Sequence, residues 1–185
     1  MARIRSLKPN VTRDEAIAQF SSGGPVDLMR QAVFGPVCSV AEFYVPFHLF
    51  QVDVLNRGRR EQRVLGLDAV NGSLDLYQFE QLPGPQEVTC VETRNCPPAL
   101  LDDSQAAAMI RSKVQRVLFA TGFFRVRGLE ITANLIPGEI HIPYWVGWRR
   151  HRHGVHARVV VMDAVRRQVE GAKVRYLLQN WLTSV

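Results

Sequence analysis

The sequence predicts an α+β protein built from two related halves, each a helix followed by antiparallel strands, with 1–96 as the first repeat and 97–185 as the second. Three observations predict it. Helix-start signals recur at Thr12–Glu15 and Asp102–Gln105. An apolar, proline-containing strand pattern follows each of them. An Asp-Ala-Val segment then follows an Arg-rich turn in both halves.

Each element has a physical reason. Thr12 can accept an amide hydrogen bond at a helix start, and Glu15 can reach back to it, the spacing of a capping box. Asp102 and Gln105 repeat that spacing before Ala-Ala-Ala-Met-Ile. In the second helix Ile110, Val114, Val117 and Leu118 fall on one stripe, with Arg111, Ser112, Gln115 and Arg116 opposite. Tyr44 to Val54 is the first strand segment and His141 to Trp148 the second, with Val-Pro-Phe at 45–47 matching Ile-Pro-Tyr at 142–144. Ile140, Ile142, Tyr144, Val146 and Trp148 alternate with Glu139, His141, Pro143, Trp145 and Gly147, as in a strand with one buried face. The prolines point to an edge or a bulge.

Asn56 to Arg63 and Arg149 to His156 read as polar hairpin connections, each with an internal Gly. The return strands are Val64 to Val70 and Val159 to Val165, which share Leu-Asp-Ala-Val and Met-Asp-Ala-Val. Asn71-Gly72 signals a type I′ turn into a strand over 73–80. Arg166-Arg167, at the corresponding place, makes such a turn only at a cost. The second half is therefore expected to pass into a terminal helix with Val174, Leu177, Leu178 and Trp181 on its apolar stripe. Pro-rich breakers at 82–85 and 96–98 flank a short extended stretch from Glu87 to Thr93.

Composition narrows the class. Of 185 residues, 46% are hydrophobic and 22% charged, a globular balance. Apolar runs fall short of the roughly 18 residues that span a bilayer, so no membrane association is expected. The first residues carry basic side chains without an apolar stretch behind them, so no signal peptide is read. Cys38, Cys90 and Cys96 form no framework, and an odd set of thiols fits a reducing compartment; a cytoplasmic location is expected. Residues 1–100 carry 10 Lys and Arg against 11 Asp and Glu, whereas residues 101–185 carry 13 against 6. The second half is thus the natural face for an acidic partner.

The Thr-Arg-Asp-Glu-Ala helix start, the aromatic strand from Tyr44 to Val54 and the Leu-Asp-Ala-Val-Asn-Gly segment at 67–72 resemble the PepSY type of domain. The second half matches it through Ile142 to Val146 and Met162 to Val165. The resemblance implies a cystatin-like plan, a helix packed on an antiparallel sheet. It also implies a non-catalytic module that binds or restrains a partner, often a peptidase. The matching residues are structural in that family.

The chemistry-bearing residues give no catalytic set. His151, His153 and His156 are close enough in sequence to share a metal. Arg149, Arg150, Arg152 and Arg158 surround them and oppose a dication, so the stretch reads as a solvated hairpin tip and no metal site or cofactor is expected. Trp145 beside Arg149, Arg150 and Arg152 is the candidate binding surface, since aromatic and basic side chains together hold single-stranded nucleic acid. Tyr144 and Trp148 belong to the core stripe. Asp68 and Asp163 precede turns, where Asp accepts backbone hydrogen bonds. No nucleophile elbow, phosphate loop or dinucleotide fingerprint is present. The expected function is a non-enzymatic binding or regulatory module for a protein or peptide. The alternatives are a nucleic-acid binder using the basic second half, and an enzyme of unrecognised type.

Overall fold

A computed structural model describes residues 1–21, 37–120, 126–149 and 158–184. The elements run β1 (Ala2–Leu7), α1 (Arg13–Ser21), β2 (Val37–Asn56), β3 (Arg59–Asp68), β4 (Tyr77–Phe79), β5 (Val88–Thr93), α2 (Asp103–Ala120), β6 (Glu130–Arg149), β7 (Arg158–Asp163), β8 (Gln168–Val169) and α3 (Ala172–Ser184). All eight strands belong to one sheet. Its main path is β4-β3-β2-β6-β1-β5, with β7 and β8 branching from β6.

The expected pair of helix-plus-sheet halves is not what forms. Strands hold 47% of the residues against 25% in helices, and the sheet curls into a half-barrel. The centre of that sheet is the antiparallel pair β2–β6, one long strand from each expected half, in register from Val40↔Gly147 through Val45↔Ile142 to Leu55↔Glu130 with a bulge at His48/Leu49. A seam of hydrogen bonds therefore runs where a boundary between halves was expected.

The helices cross over as well. Helix α1 packs Val11, Ala16 and Phe20 against Val40, Trp145, Met162 and Ala164, which lie mainly on β6 and β7. Helix α2 packs Ala106, Ile110 and Val114 against Phe50, Val52, Val54, Leu65 and Leu67 of β2 and β3. Each helix thus covers strands of the other segment as well as its own, α1 reaching Val37 and Val40 of β2 and α2 reaching Ile131, Ala133 and Leu135 of β6. On the opposite face, α3 lays Val174, Leu177 and Leu178 over Phe43, Val45, Phe47, Ile142, Tyr144 and Val146. Both faces of the central strands are covered, so residues 43–50 and 140–147 are buried without a break. Fully burying a side chain such as Phe47, Phe50 or Ile142 contributes roughly 1.5–3 kcal/mol, and these are among the largest in the core.

The prolines explain the crossover. They lie in the central strands, not at an edge. Ala69 N–H donates to Pro46 O at 2.8 Å, and Ala164 N–H donates to Pro143 O at 3.0 Å. In an antiparallel ladder the paired residue would return a second bond, but proline has no N–H to give. The carbonyls of Ala69 and Ala164 are thereby left for other donors. Leu100 and Leu101 donate to Ala69 O at 2.8 and 3.0 Å, and Asn10 donates to Ala164 O at 2.8 Å. These donors lie just ahead of α2 and α1, so each missing donor anchors one helix on the other segment's hairpin.

Both capping boxes are present. Thr12 N–H donates to Glu15 Oε2 at 2.7 Å, and Glu15 N–H to Thr12 Oγ1 at 3.3 Å. Gln105 N–H donates to Asp102 Oδ1 at 2.8 Å, and Asp102 N–H to Gln105 Oε1 at 3.2 Å. These backbone hydrogen bonds hold the Glu15 and Asp102 carboxyls below their usual range. The turns differ from expectation. The two-residue β2–β3 connection is Arg57-Gly58, with φ of 53° and 74°, the positive values that a type I′ turn needs. Of Asn71-Gly72, only Gly72 has positive φ. Arg167 adopts φ 58° inside a tight β7–β8 hairpin that was expected to be absent. Strand β1 was not anticipated; it pairs with β5 in antiparallel register.

Candidate functional site

The two turn acids do the same job to different extents. Asp68 is fully buried. Its Oδ1 accepts the N–H groups of Asn71 and Gly72 at 3.0 and 2.9 Å, and its Oδ2 accepts that of Leu74 at 2.8 Å. Asp163 is also fully buried, and its Oδ1 accepts the N–H groups of Val165 and Arg166 at 2.7 and 2.8 Å. Its Oδ2 and the hydroxyl of Tyr77 are buried neighbours: neither makes a hydrogen bond of good geometry, yet each group acts on the other's titration as a hydrogen-bond partner. Burial raises the Asp163 carboxyl above its usual 3.8, with the two backbone amides and Arg166 pulling the other way. Burial also pushes Tyr77, Tyr144 and Glu170 upward, and Asp163 adds to the shift in all three.

Arg166 organises the surroundings of this cluster. Its guanidinium lies 3.4 Å above the centre of the Tyr77 ring, a cation–π contact. One Nη2 hydrogen bond runs to Gln78 O at 2.9 Å. The Tyr77–Arg166 pair stands between two cavities. The inner one, about 360 Å³, lies under the start of α3 and is lined by Phe47, Leu74, Tyr144, Glu170 and Lys173 among others. The outer one, about 540 Å³, is a cleft at the seam of the half-barrel. There Tyr77, Gln78 and Phe79 of β4 face Leu7 and Lys8 at the end of β1, and the 80–87 connection forms the rim. Both volumes fall in the range of ligand sites, roughly 300–1,000 Å³.

The backbone of the cleft is as informative as its lining. The Gln78 carbonyl is bonded by a side chain, so it points off the sheet and away from β3. In an antiparallel strand the N–H and C=O of one residue point the same way, so the Gln78 N–H also faces the cleft. Among the described residues no strand pairs with that side of β4, so it presents an edge in the position where a further strand would add.

The residues singled out in the sequence lie elsewhere. Trp145 is 8% exposed under α1, and its indole N–H donates to Val11 O at 2.8 Å. Arg149 is 5% exposed and donates to Phe20 O at 2.5 Å. Both are buried, and both hold α1 on β6. Arg150, Arg152, His151, His153 and His156 lie outside the described residues. His48 and His141 are buried, with ring nitrogens 3.1 Å from Leu101 O and 3.0 Å from Arg5 O. Burial lowers the His141 pKa. Cys38 and Cys90 are exposed thiols; burial raises that of Cys96 to about 11. Among the described residues no group of three His, Cys, Asp or Glu side chains could hold a metal ion. Among those residues, no helix is long and apolar enough to cross a membrane, which leaves strand-built membrane proteins unaddressed.

Tyr77 and Arg166 were not singled out from sequence. The available signal was a pair of arginines at a turn where the matching position has Asn71-Gly72. Comparison with family models, curated proteins and solved structures finds no match to this chain.

Proposed function

We propose that the protein is a non-enzymatic binding module that takes an extended segment of a protein or peptide partner into the seam cleft beside β4. The observation that carries this reading is the outward-facing backbone of Gln78 on the cleft-side edge of β4, across an open cleft from β1. Strand addition to a sheet edge derives affinity from main-chain hydrogen bonds and needs no catalytic group. Leu7 and Phe79 supply apolar contact, while Lys8, Arg166, Glu80 and Glu87 supply charges of both signs around the rim. A three-residue edge offers about 10 Å of ladder, so the recognised segment is short. The nucleic-acid reading lacks its aromatic partner, because Trp145 is committed to Val11.

Selection of a random peptide library on the immobilised protein tests this. Enriched peptides should protect the Gln78 amide from hydrogen exchange. Gln78→Pro removes the outward donor but no β3 ladder bond, and proline is tolerated on the open side of an edge strand. Peptide binding should fall at least tenfold in that variant, with the thermal midpoint nearly unchanged. Peptides that bind it as well as they bind the parent protein would remove β4 as the docking edge.

A further inference from the structure

Arg166 behaves unlike the residue that shares its place in the other turn. Asp68 Oδ1 accepts the Asn71 amide three residues on, and Asp163 Oδ1 accepts the Arg166 amide at the same spacing. The Asn71 side chain then stays local, accepting the Ser73 N–H at 3.0 Å. The Arg166 side chain instead leaves its own turn, crosses to β4 and donates to the carbonyl of Gln78. The turn itself is already held by Asp163 and by Arg167, whose Nη2 donates to Asn10 O at 2.6 Å and pairs with Glu15 at 3.3 Å. The reach of Arg166 is thus additional to what the turn requires.

Its geometry supplies what a strand would supply. The guanidinium is planar, carries five N–H donors, and sits over Tyr77 with one donor on the outward acceptor of the β4 edge. An incoming extended segment would direct a backbone N–H at that same oxygen. Resting on the peptide-binding reading above, we propose that Arg166 is an internal plug: its side chain occupies the β4 acceptor in the free protein and is displaced when the partner segment pairs with Gln78. The inner cavity gives the displaced guanidinium somewhere to go. Arg166 already forms part of its wall, and the Glu170 carboxylate and Tyr144 line the same space. Asp163 neighbours Tyr77, and the attraction of Asp163 and Glu170 to Arg166 is expressed in their titration.

The plug competes with the partner, so its removal strengthens binding. Arg166→Met keeps an apolar stem over Tyr77 and loses the donors. Random peptide libraries are selected separately on the parent protein and on Arg166→Met, and each winner is titrated against both proteins and against Gln78→Pro. The expected result is about tenfold tighter binding to Arg166→Met, equal to ~1.4 kcal/mol, lost on adding Gln78→Pro. Hydrogen exchange of the β4 amides in the free proteins should be faster in Arg166→Met. Winners that bind both proteins equally, or bind the Met variant more weakly, while remaining sensitive to Gln78→Pro, overturn the plug and leave the cleft reading intact. Winners indifferent to Gln78→Pro, or no winners on either protein, overturn the cleft reading and the plug with it. Arg166→Lys checks against a fold defect: it keeps charge and one point donor, and should bind between the other two.

Discussion

Replacing each turn aspartate by asparagine should separate two acids that look alike in sequence. In Asp68→Asn, one of the two side-chain positions becomes an NH₂ group. Whichever position it takes, it faces a backbone donor, since Oδ1 serves Asn71 and Gly72 and Oδ2 serves Leu74. At least one buried N–H then loses its acceptor, at about 1–3 kcal/mol. Asp68→Ala leaves all three without one and should cost roughly 3–5 kcal/mol. In Asp163→Asn the oxygen stays on Val165 and Arg166, and the new NH₂ takes the place of Oδ2, where the neighbouring Tyr77 hydroxyl can turn from donor to acceptor. The substitution also removes a buried charge, so the net change should lie within about 0.5 kcal/mol or be stabilising. Urea unfolding followed by far-ultraviolet circular dichroism measures all three. The sign of the pH dependence adds a second check. Burial raises Asp163 in the folded state above its usual 3.8, so the folded protein holds the proton longer than the unfolded chain does. The stability associated with Asp163 is then full below 3.8 and is lost as pH rises through the folded-state value. The advantage of Asp163→Asn over the parent should therefore grow with pH and close in acid. An Asp163→Asn cost equal to that of Asp68→Asn, or an advantage that grows on acidification, would refute the reasoning.

Trp145→Phe removes the donor to Val11 O and should destabilise by about 1–2 kcal/mol, with faster amide exchange concentrated in α1. Gly66→Ala places a Cβ 3.1–3.3 Å from Phe79, Phe47 and Tyr77; overpacking of this kind should cost about 1–3 kcal/mol in a thermal melt. Gly58→Ala meets no neighbour, but φ is +74°, so it should cost about 1 kcal/mol. Gly171→Ala meets open space and no positive φ, but Gly171 immediately precedes α3, where alanine is a poorer N-cap than glycine, so it should cost about 0.5 kcal/mol. His141 has its folded pKa lowered by burial, so its contribution is complete above the usual 6.5 and is lost as pH falls through the folded value. His141→Gln should flatten that part of the stability profile in urea titrations at stepped pH.

Local signals were legible because short-range physics fixes them. Both capping boxes, the apolar stripe of α3 and the burial of Ile142, Tyr144 and Val146 follow from residues three or four apart in a helix, or two apart in a strand. What failed was pairing at long range. The alternation from Ile140 to Trp148 names one face of β6 but is silent about a helix on the other face, so it predicts an outward Trp145 where α1 covers it. Val117 lies on the predicted apolar stripe of α2 yet is 54% exposed, because it borders an open cleft shared with Val54, Leu65 and Leu76 and not a closed core. Arg57-Gly58 carried the type I′ turn although Asn71-Gly72 has the stronger residue preference. Asp68 overrides that preference by capturing the Asn71 and Gly72 amides. The seam cleft was invisible for the same reason. Tyr77 and Arg166 are 89 positions apart in sequence, and only the curl of the sheet brings them into contact.

The prolines show how a correct local rule gave a wrong architecture. Proline cannot complete a ladder pair, so Pro46 and Pro143 point to an edge or a bulge. That rule assumes that the carbonyl opposite a proline goes unsatisfied unless it faces water. Here another segment of the chain satisfies it. Ala69 O accepts from Leu100 and Leu101, and Ala164 O accepts from Asn10, so the sheet has no buried orphan at either place. The rule about donors holds, and its consequence is reversed. A proline in the middle of a strand marks the point where the opposite carbonyl is open to a third segment. Each such point here lies one or two residues ahead of a capping box. The His48 ring nitrogen, 3.1 Å from Leu101 O, and the Trp145 indole, 2.8 Å from Val11 O, hold the same two entry segments from the strand side. Helix α1 thus depends on β6 and β7, and α2 on β2 and β3. Each helix also packs on its own segment, α1 on Val40 of β2 and α2 on Ile131, Ala133 and Leu135 of β6, so the clusters under α1 and α2 each draw on both segments, and the sheet and the three described helices should unfold together in one transition.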